Sequence, residues 1–173
     1  MKFKDIPQFT KTGSYQVNMP LTYFVKWLED NINESGLVLN PDFQRGHVWT
    51  ERQQIAYIEF LLRGGKSGRI LYFNCPSWHH GSRDTEFVCV DGLQRITAIR
   101  RFINNEIPAF GTYYEDFEDR FPFEIDVIVN INDLKTRAEV LQWYIEMNEG
   151  GTPHTEDEIN RIKKMLQEEI NAH

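Results

Sequence analysis

The stretch Asp91-Gly92-Leu93-Gln94-Arg95-Ile96-Thr97 carries the residue types that handle phosphate. The apolar run Phe87 to Val90 leads into it as a strand, Gly92 gives a tight turn, and a helical pattern follows at once. The first N–H groups of a helix have no partner within it, and together with the helix dipole they favour an anion. Gly92 allows close approach to the backbone. Arg95 can add a planar, charged fork for phosphate oxygens. Asp91 has two readings. A lone Asp-Gly favours a carboxylate that caps the new helix. The other reading is a group that holds magnesium or orients a water beside a phosphate. Taken alone, Arg95 reads more readily as half of a surface salt bridge.

A second stretch, Asn40-Pro41-Asp42-Phe43-Gln44-Arg45-Gly46-His47-Val48-Trp49, repeats the Gln-Arg pair and also leads into a capped helix. By itself it reads as core anchors (Phe43, Val48, Trp49) around a solvated turn. Two Gln-Arg pairs, each beside a helix start, strengthen the reading of one shared polar pocket.

Other candidates fall away. Gly64-Gly65-Lys66-Ser67 lacks the earlier glycine of a P-loop, since position 60 is Phe60. A helix also precedes it and a strand follows, the reverse of the P-loop order. Lys66 and Arg69 read first as solvated surface and second as auxiliary charges that reach a phosphate. His79-His80 and His154 sit in polar loops and build no metal site. Glu115, Asp116, Glu118 and Asp119 read as a solvated loop rather than a metal cage. Trp143 and Tyr144 read as core or interface. Cys75 and Cys89 match no zinc spacing and no disulfide framework, which points to a reducing cytoplasm. Cys89, inside a strand, reads as a small core residue.

The elements that must position these motifs follow from periodicity. Residues 1–18 are polar and irregular and read as an arm, with residues 19–173 as one domain. Pro20 to Asn33 shows helical spacing in Leu21, Phe24, Val25 and Leu28. Leu37 to Leu39 is a short strand. Thr50 with Gln53 forms a capping box for a helix that Gly64-Gly65 stop. Arg69 to Asn74 and Phe87 to Val90 are paired strands, and Leu93 to Asn104 is a helix. Residues 105–122 form a loop. Phe123 to Ile131 alternates as a strand, with Phe123, Ile125, Val127 and Val129 on one face. Asp133 caps a helix to about Met147, and Thr155 with Glu158 opens the last one. The class is α+β with one small mixed sheet and flanking helices.

Charge narrows the partners. The net charge is −7, against nonspecific nucleic-acid binding as the main task. Residues 40–105 hold nine Lys/Arg and six Asp/Glu, a window of +3, which leaves −10 for the rest. One anionic small molecule fits such a window better than a long duplex. No apolar run approaches the roughly 20 residues of a membrane helix.

The two Gln-Arg motifs, in this order, resemble the signature of domain-of-unknown-function family 262. That is the N-terminal domain of GmrSD-type modification-dependent restriction enzymes, in the ParB/sulfiredoxin-like superfamily. Asn148-Glu149-Gly150-Gly151-Thr152-Pro153 is similar to the family's later Asn-x-Gly-x-Pro element. The resemblance covers about residues 20–165. It implies a ParB-like fold that binds or hydrolyses a nucleoside triphosphate with magnesium and acts beside a separate nuclease or defence protein. By the same resemblance Asp91, Gln94 and Arg95 are catalytic, and Gln44, Arg45, Gly92, Arg95 and Asn148 bind the nucleotide. The family usually reads Asp-Gly-Gln-Gln-Arg. Leu93 departs from it, which bears on hydrolysis more than on binding. Sulfiredoxin chemistry is not expected, because its cysteine position is Leu93.

The reading is a nucleotide-binding domain with weak hydrolysis at most, in DNA-related defence or counter-defence and of phage type. One alternative is a DNA-binding or DNA-nicking module, with duplex binding weak at most. The other is a protein-interaction adaptor with a vestigial pocket.

Overall fold

A computed structural model describes residues 2–7, 9, 15–44, 46, 48–80, 86–149 and 156–172. Its strands are β1 (Tyr15–Pro20), β2 (Ile70–Asn74), β3 (Val88–Asp91) and β4 (Asp126–Asn132). Its helices are α1 (Leu21–Ser35), α2 (Glu51–Leu62), α3 (Leu93–Ile103), α4 (Arg137–Glu149) and α5 (Glu156–Ala172). The strands form one sheet in the order β1-β4-β2-β3. β4 is antiparallel to β1 and parallel to β2, and β2 is antiparallel to β3. The class is therefore α+β with a small mixed sheet, as the element order implied.

Each face of the sheet buries a different set of side chains. On one, Val127, Val129 and Ile131 of β4 join Leu71, Phe73 and Cys89 beneath α1, α2 and α3. On the other, Val88 and Val90 of β3 pack with Trp143, Leu141 and Tyr144 of α4 and Ile162 of α5. The alternation of β4 is legible because one residue in two lies under the three-helix layer. Ile96 and Ile99 of α3 are fully buried, in the stripe that the spacing predicts.

Local chemistry sets the ends. Thr50 Oγ1 accepts the N–H of Gln53, and Gln53 reaches back to the N–H of Thr50, the expected capping box of α2. Gly36, at φ 66°, ends α1 in the left-handed region.

Several expectations are corrected. The arm does not extend to residue 18, because Tyr15–Pro20 pairs along β4 as an edge strand. Its bonds are backbone bonds, so polar side chains left no periodic trace. The strand at Leu37–Leu39 is a single bridge, Val38 to Val88. Phe123 lies outside β4 and is exposed, because the chain turns at Pro122, whose carbonyl accepts the N–H of Ile125. Asp133 does not cap α4. Thr136 and Glu139 do, each side chain bonded to the other's N–H, and Asp133 instead accepts from Lys135 Nζ. Thr155, His154 and Gly150 to Pro153 lie outside the described residues.

Candidate functional site

β3 and α3 meet at Gly92, whose φ of 125° lies where L side chains are rarely found. A Cβ there would stand 2.6 Å from Leu71 Cδ2 and 3.6 Å from Leu71 Cα. The turn is thus pressed against β2, and glycine lets it lie so close. Gly92 is also the N-cap of α3, so no side chain caps that helix. The first N–H groups of α3 keep the polarity that attracts an anion.

Asp91 is not the cap. One residue behind the capping position, it turns instead to the side chain four residues on. Its Oδ2 lies 2.7 Å from Arg95 Nη2. Arg95 Nη1 donates to the Ile70 carbonyl at 2.7 Å, so the side chain ties the first turn of α3 to the start of β2. Arg95 is mostly buried and Asp91 half exposed. A guanidinium has five N–H donors, and these two bonds leave others for a ligand.

The glutamines hold the two motifs together. Gln94 Oε1 accepts the N–H groups of Val48 and Trp49, both at 2.9 Å. Its Nε2 donates to the Gly46 carbonyl at 3.2 Å. In return Gln44 Nε2 donates to the Cys89 carbonyl on β3. Each motif thus uses its glutamine to clamp the backbone of the other, across about 45 residues of sequence. Leu93 is buried beside them. Arg45 and His47 lie outside the described residues. Asn148 donates to the Tyr144 carbonyl at 2.6 Å, within its own helix α4.

Two residues that sequence reasoning passed over border the turn. Tyr57 of α2 donates to the Gly68 carbonyl at 2.8 Å, and its ring meets Trp49 edge to face with centroids 5.5 Å apart. Gly68 lies between Tyr57 and the Arg95 stem, within 4 Å of each from its Cβ position. Burial pushes the Tyr57 hydroxyl up to about 12, against the pull of Arg95 and Arg69. Only the helical register of α2 hinted at Tyr57. Burial likewise pushes the Cys89 thiol up to about 12, and the thiol is inert core as expected.

Arg69 is a correction. It is buried, not solvated, with Nε on the Gly65 carbonyl at 2.6 Å and Nη1 on Asp126 at 2.8 Å. It pins the entry of β2 to the start of β4. Lys66 is exposed, as expected. Among the described residues, cavities lie away from the turn. One of about 910 Å³ is lined by residues of the 105–125 segment, and one of about 240 Å³ lies near Phe43, Asn74 and Arg137. No cluster of three or more metal-ligating side chains occurs among the described residues. No helix among them is long and apolar enough to cross a membrane.

Comparison with curated proteins and with solved structures gives no match. A family model described as the GmrSD restriction endonuclease, N-terminal domain, matches residues 25–126. That span is more than half of the chain and holds both glutamine clamps, the Gly92 turn and the Asp91–Arg95 pair. The chain belongs to the family of the GmrSD restriction endonuclease N-terminal domain.

Proposed function

We propose that the β3–α3 turn binds the phosphates of a nucleotide and that this domain signals the bound state to a nuclease partner in a DNA-restriction context. The observation that carries the reading is the uncapped start of α3 at Gly92, with a guanidinium held beside it by Asp91 and the Ile70 carbonyl. Backbone N–H groups and Arg95 supply the positive field, and Tyr57 and Trp49 give an aromatic border. In this reading Gln44 and Gln94 act by positioning, since their bonds go to backbone, and Arg45 adds charge. Asn148 has the weakest place in it, its amide being bonded within α4.

A magnesium ion fits Asp91. It is a hard cation, often held by one or two carboxylates plus substrate phosphates. Asp91 is half exposed with one oxygen on Arg95. When bound, the ion would neutralise phosphate charge. Asp91 would hold it and keep Arg95 aimed.

The test is a titration of the purified chain with nucleoside triphosphates and magnesium, by calorimetry and melting temperature. Only a ligand of the native state raises the melting temperature. Binding that Arg95→Ala weakens roughly ten- to a hundredfold supports the reading. Phosphate release then separates a binder from a hydrolase.

One observation favours a second reading, a scaffold whose motif has become structural. Gln44, Gln94, Asp91 and Arg95 all have partners within the chain. No response to any common nucleotide would establish that reading, with the motif serving to knit residues 44–49 to β3 and α3.

A further inference from the structure

The turn that carries Gln44 is itself held, by helices more than ninety residues further along the chain. Pro41 to Gln44 is a tight turn, with the Gln44 N–H on the Pro41 carbonyl at 3.0 Å. The two middle carbonyls of such a turn have no partner within it. Here one arginine takes both. Arg161 of α5 donates from Nη1 to the Asp42 carbonyl at 3.0 Å and from Nη2 to the Phe43 carbonyl at 3.1 Å. Arg137 of α4 donates to both carboxylate oxygens of Asp42 at 2.8 Å and pairs with Glu169 of α5 at 3.1 Å. The Phe43 ring is buried in the core shared with α4 and α5, edge to face on Tyr144 with centroids 5.3 Å apart. Backbone, carboxylate and ring of this turn are each fixed by α4 or α5.

Gln44, where the turn ends, completes an edge of the sheet. β3 is an edge strand. Val38 supplies its outer rungs: the Val38 N–H donates to the Phe87 carbonyl and the Val38 carbonyl accepts the Cys89 N–H, both at 2.9 Å. The chain then turns off at Pro41, and a side chain takes the next rung, with Gln44 Nε2 donating to the Cys89 carbonyl. Cys89 is fully buried, so losing that donor would leave its carbonyl with no water to replace it. Asp91 and Gly92 follow directly after Val90. The outer edge of β3 just before the β3–α3 turn is therefore set by Gln44, and Gln44 by the turn that α4 and α5 grip.

We propose, on the reading of the β3–α3 turn as a phosphate site, that Arg161 is a positioning residue of that site. By forking the carbonyls of Asp42 and Phe43 it fixes where Gln44 stands, and Gln44 fixes the end of β3 that presents Asp91 and Gly92. The affinity of the site is then tuned from α5, a helix outside the residues 25–126 that the family model matches. A guanidinium suits the task, because its planar fork reaches two neighbouring carbonyls at once and a lysine ammonium has no such fork. The coupling is reciprocal: a nucleotide that tightens the turn also tightens the seat of α5.

Hydrogen exchange and nucleotide titration of the full chain test this together. Arg161→Ala should raise exchange at residues 88–96 as well as at 42–44. It should weaken binding of nucleoside triphosphate with magnesium about three- to thirtyfold. Arg161→Lys should restore only part of either. Gln44→Ala should reproduce both effects, and adding Arg161→Ala to it should weaken binding no further, since Arg161 acts through Gln44. Met165 also seats α5 on its core, but a thioether has no donor for the turn carbonyls. Met165→Ala should therefore lower the melting temperature and leave the affinity unchanged. Full affinity in Arg161→Ala would overturn the proposal, as would an equal loss of affinity in Met165→Ala. So would exchange that rises at 42–44 and α5 but stays unchanged at 88–96, since Arg161 would then only anchor its own helix. If no nucleotide binds the parent chain, the phosphate reading fails by itself, and the exchange at 88–96 decides whether Arg161 positions the turn.

Discussion

The two ends of α3 solve opposite problems. At its start, polar side chains find partners within the chain: Asp91 with Arg95, Arg95 with Ile70, Gln94 with residues 46, 48 and 49. Beyond its end, apolar rings are left partly in water, and Phe110 among them stands at a strained φ of 51°. Satisfied polarity fixes geometry, because any shift breaks a hydrogen bond. Unsatisfied apolar surface stores a driving force for association instead. One end is built to be rigid, and the other leaves apolar surface exposed.

The sharpest way to break this comparison is at Gly92. Gly92→Ala should lower stability by about 2–3 kcal/mol, since a Cβ meets Leu71 and φ of 125° is strained for alanine. A denaturation midpoint unchanged from the parent would mean that the turn is not rigid. Next, Arg95→Ala should weaken nucleotide binding by about 1.5–3 kcal/mol, roughly ten- to a hundredfold, with the fold intact. Calorimetry with magnesium and nucleotide reads it directly. Full affinity in that variant would remove Arg95 from the proposed site.

Gln94→Ala asks whether the rigid end depends on its clamp. Three backbone groups at 46, 48 and 49 lose their partner, and a loss of about 1–2 kcal/mol is expected. Hydrogen exchange should rise at Val48 and Trp49 more than elsewhere. At the other end, Phe110→Asn should raise stability by about 1 kcal/mol by relieving the left-handed strain. A loss instead would show that Phe110 serves its own fold first.

The last effect is absent at neutral pH and appears only under alkaline conditions. Folding raises the Cys89 thiol from 9.0 to about 12. The native chain then keeps a proton that the unfolded chain releases. This contribution to stability is whole below pH 9 and is lost as pH rises toward 12, with a slope of about 1.4 kcal/mol per pH unit per proton. Cys89→Ala should flatten the decline of the melting temperature above pH 9. An unchanged slope would assign the decline to other groups, Tyr57 among them, whose hydroxyl is shifted in the same sense.

What the sequence determined by itself was local. Apolar spacing identified α1, α2 and α3 and the buried face of β4, because burial on one side imposes a period on the chain. Thr50 with Gln53 marked the start of α2, and Gly92 marked the β3–α3 turn, since caps and tight turns are written in adjacent residues. The loop at 105–122 was legible as acidic and aromatic, and its acids are indeed exposed. Tertiary structure decided the rest, because the deciding partners are distant in sequence. β1 is a strand only because β4 offers a backbone edge. Arg69 is buried only because Asp126 and Gly65 converge on it. Asp91 gave up the capping role because Gly92 took that position and Arg95 stood within reach. Each glutamine is followed by an arginine, yet one clamps a loop and the other a strand, a choice that chain crossing alone sets. The aromatics of 105–125 became a groove rather than a core for the same reason. Phe102 anchors Tyr114 and Phe117 in place, and among the described residues no element covers Phe110 and Phe123.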